Sequence, residues 1–377
     1  MTRHDPTLTP TEELRATVGV PFAQARAMPK SVYTSPDFAA LEQRHIFARE
    51  WLCAGRAEAL PNPGDYLTMT IAGEPVIVLR DRAGAVRAMS NVCRHRMSTL
   101  LEGRGNARAI VCPYHAWTYN LDGSLRGAPA MAANEAFCKS DIALPQVRCT
   151  VWLGWILVTL NPQAPDPADR LAEVTALVGK YRMENYVEAF REEFHWDTNW
   201  KVLAENFMES YHLPVCHAGT IGPTVDLMQM TCPEGLAAFN YHYITKNDAL
   251  DLTLAHPANT TLQGEDRRTT WLLSIYPALL ITLSPGYFWY LSLTPDGPGR
   301  VNVLFGGGLA PEFVSDPLAQ AHFARLKALL DDVNIEDKGC VERVYRGLCA
   351  GLSDPGPLSH LERPNYDFAR YIAGMMP

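Results

Sequence analysis

Cys93-Arg94-His95 and Cys112-Pro113-Tyr114-His115 each place one thiol beside one imidazole, and sixteen residues separate the two pairs. Two thiolates and two imidazoles can hold a [2Fe–2S] cluster, with sulfur on one iron and nitrogen on the other. Exchanging thiolates for neutral imidazoles raises the reduction potential well above that of an all-Cys cluster. The same four residues would also satisfy tetrahedral zinc. Zinc modules usually pair like with like, as C-x2-C followed by H-x3-H, whereas each segment here supplies one sulfur and one nitrogen. The pattern favours a one-electron relay.

A second group lies further along, in Glu205-Asn206-Phe207-Met208-Glu209-Ser210-Tyr211-His212-Leu213-Pro214-Val215-Cys216-His217. His212 and His217 are slightly more than one helical turn apart, and Pro214 is expected to open the helix so that both imidazoles converge. Two histidines with a carboxylate would leave three neighbouring positions on ferrous iron, enough for dioxygen beside a substrate; zinc accepts the same donors. The structural alternative is a pair of histidines satisfied by backbone groups.

These residues must be held by two different kinds of framework. Short β-rich runs at Tyr66 to Ile71, Val76 to Arg80 and Val86 to Met89 alternate with turn residues, and Ala109 to Val111 and Trp117 to Asn120 flank the second Cys/His pair. Val151 to Leu160 reads as one apolar strand, and Asn161 to Pro167 as a linker. Beyond it, Asn199 to Tyr211 has helical spacing, with Trp200, Leu203, Phe207 and Tyr211 on one side. Trp271 to Phe305 reads as consecutive strands, and Pro317 to Leu330 and Ile335 to Leu348 as two helices. The expected fold is α+β: a helical segment over residues 1–50, an all-β domain over 51–161, and an antiparallel sheet with helices on one side over 168–377.

With 377 residues, 47% hydrophobic and 20% charged, the chain can bury two moderate cores. A net charge of −8 without a Lys/Arg-rich run argues against a nucleic-acid surface. The polar first ten residues and the absence of any apolar run of about 18 residues indicate neither export nor a membrane span, so a cytoplasmic protein is expected. The nine cysteines are too sparse for a disulfide scaffold.

The R-H-R after Cys93 and the P-Y-H-A-W after Cys112 resemble the Rieske domain of ring-hydroxylating and related oxygenases. Asn199-Trp200-Lys201, followed by E-N and E-x2-H-x4-H, resembles the mononuclear-iron motif of the oxygenase large subunit in that family, in the same order behind a Rieske domain. The resemblance runs over nearly the whole chain. It implies a Rieske [2Fe–2S] domain with Cys93, His95, Cys112 and His115 as cluster ligands, and a helix-grip catalytic domain with mononuclear Fe(II) on His212, His217 and a carboxylate near the C-terminus. The stretch Ile335 to Leu348 is similar to the family's segment and assigns Asp337 as that ligand, over Asp331, Asp332 and Glu336; the alternative is that all are solvated helix charges. Tyr345 stands where the family usually has Gln.

The resemblance also implies partners. Family members form homotrimers, some stacked into hexamers, in which the cluster of one subunit serves the iron of its neighbour. Glu209, three residues before His212, occupies the position that links a cluster histidine, here His115, to an iron histidine. The usual residue there is Asp, and Glu resembles the branch acting on quaternary ammonium compounds. The family likeness thus implies an NAD(P)H-dependent terminal oxygenase fed by a flavin and iron–sulfur reductase, since the chain has no Gly-rich dinucleotide fingerprint. It would use dioxygen to demethylate a betaine-like small molecule or cleave its C–N bond. Oxidation of an aromatic acid or ether is the alternative, and an electron carrier without oxygenase chemistry a third. Candidates for a cation–π cage are Phe239, Tyr241, Tyr243, Tyr276, Tyr287, Phe288, Trp289 and Tyr290, and for a carboxylate partner Arg267 or Arg268.

Overall fold

The computed structural model describes residues 8–246 and 251–377. Its contacts divide the chain into two compact units: Phe47–Asp169, and the remainder, in which the residues before Phe47 join those from Arg170 onward. Among the described residues no helix is long and apolar enough to cross a membrane.

The smaller unit is all β. Strands β1 (Leu52–Arg56), β2 (Asp65–Ile71), β3 (Glu74–Arg80), β4 (Val86–Ser90), β5 (Arg104–Asn106), β6 (Ile110–Val111), β7 (Thr118–Tyr119), β8 (Leu125–Gly127), β9 (Gln146–Trp152) and β10 (Trp155–Thr159) form two sheets. One has the order β1-β10-β9-β4-β3-β2-β5, the other β6-β7-β8. The apolar run Val151 to Leu160 is two strands, not one. Leu153 and Gly154 take positive φ values of 44° and 87° and turn the chain into an antiparallel hairpin. Glycine suits the second position because that backbone conformation crowds a side chain, and the buried Arg56 guanidinium lies against it over the Trp155 ring.

The larger unit is a seven-stranded antiparallel sheet with helices. Strands β11 (Val187–Trp196), β12 (Met230–Thr231), β13 (Phe239–Thr245), β14 (Thr269–Ile275), β15 (Leu279–Leu283), β16 (Tyr287–Pro295) and β17 (Val301–Leu309) pair in the order β11-β17-β16-β15-β14-β13-β12. Four helices matter here: α1 (Pro10–Val18), α2 (Trp200–Met208), α3 (Ala319–Leu348) and α4 (Arg363–Met375). Helix α2 packs on β13, β14 and β16, and α3 packs on α2, β11 and β17.

Helix α2 starts at Asn199, whose side chain accepts from the Lys201 amide, and buries Trp200, Leu203 and Phe207, with Phe207 edge-on to Trp289 of the sheet and Trp200 edge-on to Phe368 of α4. Lys201 is fully buried; its ammonium donates to Glu42 Oε1 at 2.6 Å, and the Trp200 indole donates to Glu42 Oε2 at 3.1 Å. This pair anchors the helix, since leaving either charge alone in the interior would cost several kcal/mol, about 3–5 by analogy with broken buried pairs. The helix ends earlier than its spacing predicts. Glu209 is already extended (φ −133°, ψ 158°), and Tyr211, expected on the buried side, is exposed. Pro214 therefore does not open α2 but begins a separate turn, Leu213–Cys216.

The two helices expected over 317–348 are one helix of 30 residues, α3. The stretch between them, Asp331-Asp332-Val333-Asn334, holds neither Gly nor Pro. Leu326, Leu330, Val333, Asn334, Asp337 and Val341 make one continuous buried stripe at helical spacing.

Candidate functional site

In the smaller unit the two Cys/His segments are near copies of one backbone design. The Cys93 amide donates to Ser98 O and the Met97 amide donates back to Cys93 O; the Cys112 amide donates to Trp117 O and the Ala116 amide to Cys112 O. Met97 and Ala116 both take positive φ, 59° and 57°. Each loop thus folds back on its cysteine. Cys93 and Cys112 sit in a core with Ile77, Leu79, Leu100, Trp117 and Tyr119, while the imidazoles of His95 and His115 lie toward the surface, their rings 4.7 Å apart. His95 stacks on Trp117 at 4.8 Å.

The local field suits thiolates and neutral imidazoles. Burial opposes ionisation of Cys112, but the backbone amides of His115 and Tyr114, with the Cys93 and Ser98 side chains, outweigh it and hold the thiol below its usual range. Burial, then the charges of His95 and Arg96, hold His115 below the usual histidine value. The Tyr119 hydroxyl accepts from the Arg94 amide at 3.0 Å and lies 3.3 Å from Cys93 Sγ, so its own proton is available to the sulfur. The buried His115 Nδ1 has no hydrogen-bond partner among the described residues. An orphaned nitrogen beside two buried thiols fits a cluster ligand.

In the larger unit, residues 120 apart in sequence converge. His212, His217 and Asp337 present donor atoms within 4.8 Å of one another. Asp337 Oδ1 lies 3.5 Å from His212 Nε2 and 3.1 Å from His217 Nε2, yet this buried oxygen receives no properly directed hydrogen bond among the described residues. The far side of each ring is occupied. His212 Nδ1 lies 2.6 Å from Glu209 Oε1, and His217 Nδ1 lies 2.8 Å from Glu336 Oε2, which also accepts from Thr220 Oγ1 at 2.6 Å. Carboxylates that accept from Nδ1–H leave both Nε2 lone pairs facing Asp337, which fits a metal between the three.

The electrostatics agree. Burial disfavours a charged His212, but Asp337 and Glu209 outweigh it and push its pKa up to about 10. Burial also works against ionised Asp337, and the two histidines outweigh it and hold the carboxyl below its usual range. The pocket thus stabilises positive charge in its middle, as a divalent cation requires.

Of the competing carboxylates, Asp331 pairs with Lys327 on the surface and Asp332 is exposed. Glu336 is the one whose role the spacing missed. One step along α3 from Asp337, it turns about 100° from the buried stripe, toward His217. Glu209 caps the end of α2, where Oε2 accepts from the Tyr211 and His212 amides. With His212 it borders an open hollow of about 460 Å³.

A separate chamber of about 110 Å³ reaches the same three donor atoms from the sheet side. Of the eight aromatic candidates only Tyr287 and Trp289 line it, joined by Phe207, which meets Trp289 edge-on at 5.4 Å. Phe288 and Tyr290 alternate to the opposite face of β16, and Phe239, Tyr241 and Tyr243 to the opposite face of β13. Neither Arg267 nor Arg268 reaches it: Arg267 donates to the carbonyls of Asn259, Leu262 and His256, and Arg268 pairs with Glu265. Lys246 lines the chamber instead. Its period-two spacing from His242 and Ile244 was the available signal.

Residues 183–377 match the model of the ring-hydroxylating alpha subunit catalytic domain, and residues 50–148 that of the Rieske [2Fe-2S] domain. The chain is 35% identical over 282 residues to the glycine betaine monooxygenase oxygenase subunit of Chromohalobacter salexigens, covering 74% of this chain and 60% of that one. It is 32% identical over 203 residues to the carnitine monooxygenase oxygenase subunit of Acinetobacter pittii, covering 52% and 53%. The match thus spans less than two thirds of either relative. In three dimensions it is similar to a quaternary ammonium Rieske monooxygenase crystallised with L-carnitine, with a TM-score of 0.82 at 23% identity over 96% of this chain and 99% of that one.

Proposed function

Since the chain belongs to the ring-hydroxylating alpha-subunit family, with a Rieske [2Fe–2S] domain ahead of its catalytic domain, we propose that it is a terminal oxygenase acting on a quaternary ammonium compound. The reaction is monooxygenation that removes an N-methyl group or cleaves a neighbouring C–N bond. The cofactors, when bound, supply electrons singly from the cluster and a place on the mononuclear iron where dioxygen and substrate meet.

The protein's own groups hold and orient them. Cys93 and Cys112 bind as thiolates and His95 and His115 as neutral imidazoles. His212, His217 and Asp337 hold the mononuclear iron, with Glu209 and Glu336 keeping the proton of each imidazole on Nδ1. Because Glu209 and His212 border the open hollow, the cluster histidine of a neighbouring copy, His115, can approach Glu209 there. That contact would join the two centres across a homotrimer. Met97 and Tyr114, 72% and 56% exposed beside the cluster histidines, offer an apolar rim for a neighbouring copy or the reductase. Electrons come from NAD(P)H through that separate flavin and iron–sulfur reductase.

The observation that carries the substrate class is the wall of the chamber. Phe207, Tyr287 and Trp289 beside three converging metal donors suit a cation that has no hydrogen-bond donor of its own. The similarity to glycine betaine and carnitine monooxygenase subunits supports the same reading. The test is oxygen uptake by the iron-loaded protein with NADH and a reductase, offering glycine betaine, carnitine and choline beside aromatic acids and aryl ethers. Uptake with release of formaldehyde or a C–N cleavage product from a quaternary ammonium compound is expected. Uptake with the aromatic compounds alone would overturn the substrate class, and two irons per chain with no uptake would leave an electron carrier.

A further inference from the structure

Two cysteines outside the cluster loops meet behind the candidate mononuclear site. Cys216 stands immediately before His217, and Cys340 lies on α3 one helical turn beyond Glu336 and three residues past Asp337. The segment after Cys216 wraps around Glu336, whose carboxylate takes both His217 Nδ1 and the Thr220 hydroxyl. Residues four apart on a helix share a face, and their side chains lean toward the helix N-terminus, so Cys340 is aimed at this same segment. What it meets there is Cys216. The Cys216 thiol donates to Glu336 O at 3.6 Å, on the turn that Cys340 leans over, and the two thiols are near enough to act on one another.

Both are free cysteines, and both are half-buried. Cys340 also lines the open hollow of about 460 Å³ that Glu209 and His212 border. A solute in that hollow therefore reaches one thiol, with the second behind it, which is how a sulfur that is oxidised and a sulfur that resolves it are arranged. The converging metal donors do not call on either: they are two imidazoles and a carboxylate.

We propose that Cys216 and Cys340 are a modification site, closing to a reversible disulfide under hydrogen peroxide, and that the bond disables the mononuclear site. In the first step the Cys340 sulfur attacks one peroxide oxygen, the O–O bond breaks, and a sulfenic acid forms as water leaves. In the second the Cys216 sulfur attacks that sulfur, the S–O bond breaks, and a second water leaves. Both thiol protons end in water, and the two sulfurs together lose the two electrons that peroxide gains. The source of peroxide rests on the oxygenase reading, since dioxygen that takes two electrons and two protons with no substrate oxidised yields it; the pair itself does not. Once formed, the bond ends the donation to Glu336 O and draws Cys216 toward α3, carrying His217 off its line between Glu336 and Asp337.

The test treats the iron-loaded full chain with limiting hydrogen peroxide and, separately, with diamide, which oxidises thiols to disulfides without peroxide. Tryptic peptides 202–246 and 339–343 should be found joined by mass spectrometry. Fragmentation should place the bond on Cys216 and not on Cys232, whose thiol donates to Leu361 O. Mononuclear iron affinity, read by chelator competition, should fall roughly tenfold or more in the joined protein and recover with dithiothreitol. Cys216→Ser and Cys340→Ser should each abolish the joined peptides and the loss of affinity under diamide, while leaving affinity before treatment unchanged. None of these readouts needs a substrate, so they fail or succeed apart from the quaternary ammonium reading. Sulfinic acid on either cysteine with no joined peptide, joined protein that keeps its full iron affinity, or an equal loss of affinity in both serine variants would overturn the proposal.

Discussion

The two candidate metal regions are built by opposite strategies. The cluster loops lie within 23 residues, from Cys93 to His115, and each closes by its own pair of backbone hydrogen bonds around a positive-φ residue. The candidate mononuclear site takes two histidines from the irregular segment after α2 and one carboxylate from the middle of a helix more than a hundred residues later. A locally closed loop needs its neighbours mainly as a floor. A site assembled across the fold depends on whatever sets α2, its C-terminal cap and α3 against one sheet, and so on buried contacts such as Lys201 with Glu42.

That contrast can be broken most sharply by Asp337→Ala. Iron per chain should fall from about three to about two and turnover to background, while the cluster's absorption and paramagnetic signature persist. Loss of both centres together would mean that the regions are not separately built. Glu336→Ala should be milder. Freed from its carboxylate, His217 should cost the mononuclear site roughly 10–100-fold in iron affinity, measured by competition with a chelator, and leave sulfide content unchanged.

Acid offers a graded version of the same separation. With no metal bound, His212 is pushed up to about 10, so its protonation contributes stability fully present below the ordinary value near 6.5 and lost as pH rises through about 10. Iron must displace that proton. Between those limits its affinity should therefore rise about tenfold per pH unit, with about one proton released, measurable by calorimetry in buffers of different ionisation heat. Binding without proton release would contradict the arrangement of Glu209, His212 and Asp337. The smallest effect expected is at the other region. Tyr119→Phe removes the hydroxyl beside Cys93 Sγ, a loss of about 1 kcal/mol of preference for the reduced cluster. This corresponds to a potential about 40 mV lower by redox titration, with the mononuclear iron unaffected.

The same division explains what could be read before the fold was in view. Cys93, His95, Cys112 and His115 announce themselves because residue type and spacing alone restrict which metal they suit. The strands Asp65–Ile71 and Glu74–Arg80 were equally legible, the first by β-rich residues between turn signals and the second as a short apolar run, Val76 to Leu79, that is buried throughout. Legibility failed where a boundary depended on long-range packing. Val151 to Leu160 is apolar but for Gly154 and Thr159, so its turn at Leu153-Gly154 is marked by a single glycine, and the acidic stretch at 331–334 looks like a break until Val333 and Asn334 join the buried stripe of α3.

Sequence alone therefore determined the kinds of donor, the order of the two domains and the α+β class, because these follow from residue chemistry and local periodicity. Tertiary structure decided which carboxylate faces His212 and His217, that Glu336 rather than a backbone group orients His217, and that Tyr287, Trp289, Phe207 and Lys246 share a chamber while Arg267 and Arg268 do not. The physical reason is rotational. Neighbouring residues on a helix differ by about 100° and on a strand by about half a turn, so a position's chemistry is local, but the partner it faces is set only when the elements pack.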